Sequence, residues 1–555
     1  INYSATGDTI QLAAGTYTLT LDGSGEDAGL TGDLDIDGKN LIIIGADQAT
    51  TIIDGSGFTA GNEDRVFDLL NGASLDISAL TIQGGNITDG EDGGGIRMDS
   101  GDLTITNVTI TGNTADDGGN YGEGGGIYVE SGTVTITDSD ISGNTAGEDG
   151  GGIYIEDATV TITDSTISGN IADSEGGGIY IDYGSLTLTN VVIESNETDG
   201  EGGGLHVEYA TATVTNSTIT GNTIPTTGYG GGGVYVDYGE LTIIDSVVSN
   251  NTAPYGGGIH TYDGTITITN TTITGNEATT DYGGGIYISD RDGVVTINSS
   301  TISGNTSASY GGGIYNGATL SVNDSTISGN TSADYGGGIY NNGTLEVTNT
   351  TISGNTATTD SGGGIYNGDT ATITNSTISG NTAGTSGGGI YNNGTLEVTN
   401  TTISGNEATA DYGGGIYNSD TATIVNSTIS GNEAATNGGG IYNSYDLTIT
   451  NSTIYGNTAT TNGGGIYNGS TLDINNTIVI GNTPAIPGPD VYDNGTITSN
   501  GYNIIGDTTD ATFFDTSGDI TGEVAADVID TTLALNGAPA GSPLTHALIP
   551  GGPAM

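Results

Sequence analysis

From Gly336 to Asn355 the chain reads GGGIYNNGTLEVTNTTISGN, with apolar side chains on alternate positions. Ile339 inward and Tyr340 outward opens one strand. Leu345 and Val347 inward, with Glu346 and Thr348 outward, makes a second, and Ile352 begins a third. Asn342 and Gly343 mark the turn between the first two strands, and Asn349 the next corner. β-Branched residues and glycine dominate and no apolar spacing of three or four persists, so helix is not expected.

The same sentence recurs fifteen times between Gly93 and Asn482, each ending in aliphatic-x-x-Asn. Those asparagines are Asn113, Asn144, Asn170, Asn196, Asn222, Asn251, Asn276, Asn305, Asn330, Asn355, Asn381, Asn406, Asn432, Asn457 and Asn482, with a mean spacing of 26.4 residues. A fixed period in this range signals a solenoid, whose units bury their apolar faces only by stacking on neighbours. The predicted fold class is all-β: a single-stranded right-handed parallel β-helix (β-solenoid) of roughly 20 coils with three short strands each. At ~4.8 Å per coil the rod would be about 90–100 Å long. The organisation expected is N-terminal coils over residues 1–88, the repeat region over 89–482 and a C-terminal end over 483–555.

Stacking turns repeated positions into columns. Ile96, Ile127, Ile153 and their equivalents through Ile466 form an interior stack. Asn113, Asn144, Asn170, Asn222, Asn305, Asn330, Asn355, Asn381, Asn406, Asn432 and Asn457 are expected to form an amide ladder between coils. Alternation sends outward Tyr128, Tyr154, Tyr180, Tyr235, Tyr287, Tyr315, Tyr340, Tyr366, Tyr391, Tyr417, Tyr442 and Tyr467, with His206 and His260 interrupting and Arg97 preceding them. Such a stripe suits sugar stacking, lateral packing of one rod on another, or self-stacking that only stiffens the sheet. The position after the tyrosine is mostly aliphatic from Met98 to Ile288 and Asn from Asn316 to Asn468. A second Asn ladder and recent duplication of one unit both account for that switch.

Charge narrows the partners. Asp and Glu total 66 against Lys39, Arg65, Arg97 and Arg291, a net charge of −62. A nucleic-acid or anionic-membrane surface needs clustered Lys and Arg and is excluded as a partner. Copies repel one another unless salt or divalent cations screen them. Cysteine is absent, and no apolar run approaches the ~20 residues that span a bilayer. The chain begins at Ile1, which reads as a processed product or a piece of something longer.

GGGI paired with I-x-x-N resembles the GGA-[ILV] and F-x-x-N repeats of polymorphic outer-membrane proteins and related bacterial surface proteins, with Ile or Val in place of Phe, as at Ile141–Asn144. INYSATGDTIQLAAGTYTLT at the start, and RVFDLLNGASLDISALTIQGG after it, are similar to secreted β-helix proteins that follow a CSLREA leader. NTPAIPGPDVYDNGTITSNGYNIIGDTTD and PLTHALIPGGPAM are similar to the end of "choice-of-anchor" β-helix proteins. The resemblance covers essentially the whole chain. It implies a pectin-lyase-like fold, secretion to the extracellular space or cell surface, a leader before Ile1 and an anchoring segment after Met555. For activity it is weakly informative.

Three chemistries are weighed. Acidic residues gather before the glycines, as at Glu123, Asp149, Glu175 and Glu201, and carboxylates on a glycine-rich turn suit Ca²⁺. Neither the GGxGxDxUx nonapeptide nor an EF-hand is present, so a diffuse cation atmosphere is favoured over defined sites and no cofactor is required. Pectate lyases and polygalacturonases need a catalytic base or an Asp cluster in a cleft. The one mid-rod Arg, Arg291 between Asp290 and Asp292, reads as a turn ion pair, so no catalysis is expected. Asn-x-Ser/Thr triplets such as Asn107 and Asn451 arise from the repeat itself. The reading is an extracellular structural rod that associates with itself head-to-tail or laterally into a filament, or serves as an adhesin stalk. The alternative is a polysaccharide-binding or polysaccharide-degrading secreted protein.

Overall fold

The computed structural model describes residues 4–20, 32–58, 64–119, 121–225, 228–289, 292–484, 489–509, 511, 514, 518–534, 543–550 and 552. It divides into two compact units, Ile1–Thr279 and Thr280–Met555. Each is a parallel β-solenoid, and together they lay down about 17 turns among the described residues, close to the expected number.

In the second unit one turn comprises the strands Ile339–Asn341, Thr344–Thr348, Thr351–Ser353 and Thr356–Ala357. The fourth, two-residue strand was not anticipated. It pairs with its equivalents from Thr306–Ser307 to Thr483–Pro484 as a narrow sheet of its own. The strands of this turn pair in parallel and in register with the next: Ile339 to Ile365, Tyr340 to Tyr366, Leu345 to Ala371 and Ile352 to Ile378. Ile339, Val347 and Ile352 have no solvent exposure, and each such side chain contributes about 1.5–3 kcal/mol on burial.

The corners explain the sequence between strands. Asn349 adopts φ +52°, a left-handed conformation that Asn tolerates better than most residues. Gly336 has φ +67°. Gly338 is required by space: a Cβ there would stand 2.6 Å from the Gly364 carbonyl oxygen and 3.0 Å from Asn355 Nδ2. Three consecutive glycines let the backbone fold over the amide column beneath them.

That column is continuous within each unit. Asn355 Oδ1 accepts from the backbone N–H and Nδ2 of Asn330, both at 3.0 Å, and Asn355 Nδ2 donates to Ile327 O and Asn381 Oδ1, also at 3.0 Å. The first unit repeats the arrangement from Asn113 to Asn276. In the second unit Asn341, Asn367, Asn392, Asn418 and Asn443 form another amide ladder, with Nδ2–Oδ1 distances of 2.8–2.9 Å.

After the turn Val491–Ile505 the stack continues among the described residues in Ile520–Thr521, which pairs in parallel with Ile504–Ile505. A short helix, Ala525–Val528, packs Val528 and Ile529 on Ile480 and Ile504. The segment beyond folds back along the side of the unit, where Thr402 Oγ1 donates to Leu544 O and His546 meets the Tyr455 ring edge-on.

Candidate functional site

In the first unit the parallel register places Tyr128, Tyr154, Tyr180, His206, Tyr235 and His260 one above another. Tyr128, Tyr154 and Tyr180 stack nearly face to face with centroids 5.1–5.2 Å apart, whereas His206 lies tilted between Tyr180 and Tyr235, 4.9 Å from each. The stripe expected on the surface is buried in this unit, Tyr180 being only 5% exposed and Tyr235 3%. Alternation sets which side of the strand a ring leaves from. At one ring per coil, each ring then covers the next. In the second unit the rings of Tyr315, Tyr340, Tyr366, Tyr391, Tyr417, Tyr442 and Tyr467 stack 4.7–5.1 Å apart, and most are half-buried.

Two rows of carboxylates flank the first unit's column. Glu123, Asp149, Glu175 and Glu201 precede the glycines, and Glu130, Glu156, Asp182, Glu208 and Asp237 follow the aromatic strand. Tyr128 donates its hydroxyl to Glu156 at 3.3 Å and Tyr180 to Glu208. Burial, then repulsion from neighbouring acids, pushes Glu123 up to about 8 and Glu175 to about 9. Burial followed by Glu148 raises Asp149 to about 7, and burial raises Glu201 to about 7 against a lowering hydrogen bond from Tyr235. His206 and His260 go the other way: burial lowers each to about 3, so both are neutral at pH 7.

One corner further along lies a group that the consensus reading missed. Tyr183, Tyr209 and Tyr238 are 52%, 48% and 47% exposed, and their rings stack at 5.4 and 5.1 Å with interplanar angles of 13° and 3°. All three hold left-handed backbone, with φ of 56°, 44° and 48°. That conformation costs a bulky residue roughly 1–2 kcal/mol, and such strain collects at functional positions. The signal was present in sequence as an acid, a Tyr and a small residue in three consecutive coils: Asp182-Tyr183-Gly184, Glu208-Tyr209-Ala210 and Asp237-Tyr238-Gly239.

Arg65 and Arg97 are drawn into a network around the buried Asp68. Arg65 Nη1 lies 2.7 Å from Asp68 Oδ2, and Arg97 bridges Asp68 at 3.3 Å and Asp99 at 2.6 Å. Burial and the facing Asp64 raise Asp33 to about 10. Arg291 and Asp290 lie outside the described residues.

Coils in register around an aliphatic core define the class, and the sequence comparison places the chain within it. The chain belongs to the family described as right handed beta helix region, whose model matches residues 39–224, 232–395 and 338–513. No curated protein matches it. Among solved structures it is similar to the A-module of mannuronan C-5 epimerase AlgE6 from Azotobacter vinelandii, at 14% identity over 74% of this chain and 90% of that one, with a TM-score of 0.29. It is also similar to the PL6 family alginate lyase AlyGC, at 11% identity over 94% and 97%, with a TM-score of 0.22. The expectation of a rod without catalysis is corrected here: both of these similar structures are named as enzymes. Likeness at this level is one of fold and assigns no activity to this chain. Among the described residues no helix is long and apolar enough to cross a membrane.

Proposed function

We propose that the chain is an extracellular or cell-surface polysaccharide-binding β-helix, and that the glycan lies along Tyr183, Tyr209 and Tyr238. The observation that carries this reading is the exposed stack itself: three parallel rings at one-coil spacing on strained backbone. An aromatic face with a polar edge is suited to a ligand that is apolar on one side and hydroxylated on the other. Asp182, Glu208 and Asp237, each immediately before a ring, offer acceptors for sugar hydroxyls. The favoured ligand is a neutral polysaccharide, because a net charge of −62 repels polyanions unless Ca²⁺ or another cation screens them.

This reading takes precedence over a self-associating filament or adhesin stalk for two reasons. The tyrosine column set out for lateral packing is occupied in stacking on itself. The exposed ladder is flanked by carboxylates, which repel a second copy and accept hydrogen bonds from a neutral glycan.

The test is affinity electrophoresis and calorimetry against soluble neutral and anionic polysaccharides, comparing the wild type with the triple variant Tyr183→Asn, Tyr209→Asn, Tyr238→Asn. Asn keeps the left-handed corner. At ~0.5–1.5 kcal/mol per aromatic contact, losing three rings weakens binding by about 10- to 1,000-fold. Unchanged glycan affinity in the variant, or sedimentation showing that the ladder holds two copies together, would overturn the reading.

A further inference from the structure

Glu175, Glu201 and His206 bring three ligand atoms within 4.8 Å of one another in the first unit. They come from two consecutive turns. Glu175 and Glu201 are bridged in parallel across the coils, and His206 follows the Gly202–Gly204 corner on the upper turn. His206 is 1% exposed, and neither ring nitrogen has a hydrogen-bond partner among the described residues. Its Nδ1 stands 3.2 Å from Glu175 Oε2, outside hydrogen-bond geometry. A buried imidazole left without a partner carries its full desolvation penalty. Here it also faces two carboxylates that repel each other.

We propose that Glu175, Glu201 and His206 bind a divalent transition-metal ion of the zinc class. One imidazole nitrogen and two carboxylate oxygens match the borderline character of zinc, which takes three protein ligands and leaves a position open. The Glu175 side chain is 30% exposed, giving that position a path to solvent. The rings of Tyr180 and Tyr235 hold the imidazole between them, so its plane is fixed by its surroundings. A dication offsets the repulsion among the neighbouring carboxylates Asp149, Glu175, Glu201 and Glu208. The other compact cluster, Asp33, Asp35 and Asp68, lacks this logic, because Arg65 and Arg97 already supply positive charge there.

The proposal does not depend on the glycan reading. Metal-stripped full-length chain is dialysed against Zn²⁺ with millimolar Mg²⁺ and Ca²⁺ present to saturate the diffuse acidic surface, and the retained metal is counted. Co²⁺ is titrated in parallel and its visible absorption recorded. One retained Zn²⁺ per chain, an intense four- or five-coordinate Co²⁺ spectrum displaced by Zn²⁺, and at least a tenfold loss of affinity in both His206→Asn and Glu175→Gln are expected. Zinc that Mg²⁺ or Ca²⁺ removes, a weak six-oxygen Co²⁺ spectrum, or variants that bind like the wild type overturn it. Should circular dichroism show His206→Asn unfolded, Glu175→Gln, on a partly exposed side chain, decides the question.

Discussion

Replacing Asn355 by Ala isolates what the amide column contributes. The wild-type side chain is fully buried; its Oδ1 accepts two hydrogen bonds from Asn330 and its Nδ2 donates to Ile327 O and Asn381 Oδ1. Removing it leaves the Asn330 N–H and one Asn330 amide hydrogen without an acceptor and takes one donor from the Ile327 carbonyl, which stays in the ladder with Ile352. Asn381 Oδ1 still accepts from the Asn355 backbone. Two buried groups at ~1–3 kcal/mol each predict a loss of about 2–6 kcal/mol. The comparison is Asn349→Ala on the same turn, which loses one exposed 3.0 Å bond to Asp324 and adds left-handed strain, about 1–2 kcal/mol together. Because long repeat arrays unfold with imperfect cooperativity, hydrogen exchange of the amides near Asn330 and Ile327 is the sharper assay, with urea unfolding alongside. Equal protection in the two variants, or a loss below about 1 kcal/mol in Asn355→Ala, would show that the ladder is incidental to the stack.

Two further outcomes follow from the corners and the acidic rows. Gly338→Ala is expected to destabilise the second unit more than Gly354→Ala, measured by urea midpoint. The first drives a Cβ to 2.6 Å from a backbone oxygen, whereas the second, at φ +63° with nothing within 4 Å, adds only ~1–2 kcal/mol of strain. The first unit is expected to lose stability as pH rises from about 4.5 to 9. Glu123, Glu175 and Glu201 hold protons in the folded state that the unfolded chain, at 4.5, has released, so the folded form binds more protons across that window. His206 and His260, lowered from 6.5 to about 3, act oppositely and add stability as pH rises between those values. Glu175→Gln should flatten the alkaline limb, and a first unit whose exchange protection is unchanged from pH 6 to 9 would contradict the burial argument.

The coil was legible because Ile339, Leu345, Val347 and Ile352 alternate with polar neighbours over enough positions to specify inside and outside. Thr356–Ala357 was not, since two residues carry no period. The burial of Tyr180 escaped for a related reason: alternation fixes a side chain's direction, while exposure depends on what stands on the coils above and below. The fold-back after Thr521 has neither repeat nor alternation, and long-range contacts place it: Val528 and Ile529 on Ile480, Leu544 O on Thr402 and His546 on Tyr455. Glu175 and His206 are 31 residues apart, and nothing local in the sequence joins them. Register does.

The two candidate surfaces share one origin. A solenoid repeats its backbone so faithfully that any substitution recurs at the same place on the next coil, and most columns satisfy themselves: amide to amide, ring to ring. Chemistry directed outward therefore requires a departure from the repeat. His206 replaces a tyrosine and stands tilted between its neighbours' rings, which leaves a nitrogen to face Glu175. Tyr183, Tyr209 and Tyr238 stand at a corner where the second unit carries small or polar residues such as Asn342-Gly343 and Asn393-Gly394. Both departures fall in consecutive coils of the first unit, where the column after the tyrosine is aliphatic rather than an Asn ladder: Ile155, Ile181, Val207 and Val236 are fully buried. An aliphatic column supplies none of the side-chain hydrogen bonds by which Asn341 and Asn367 tie down that corner in the second unit, which leaves the corner's own residues free to differ. Transplanting Asn at positions 181, 207 and 236 should then rigidify the corner without touching a tyrosine, seen as slower exchange of the Tyr183 and Tyr209 amides. Faster exchange there would mean that the corner's variability has another cause.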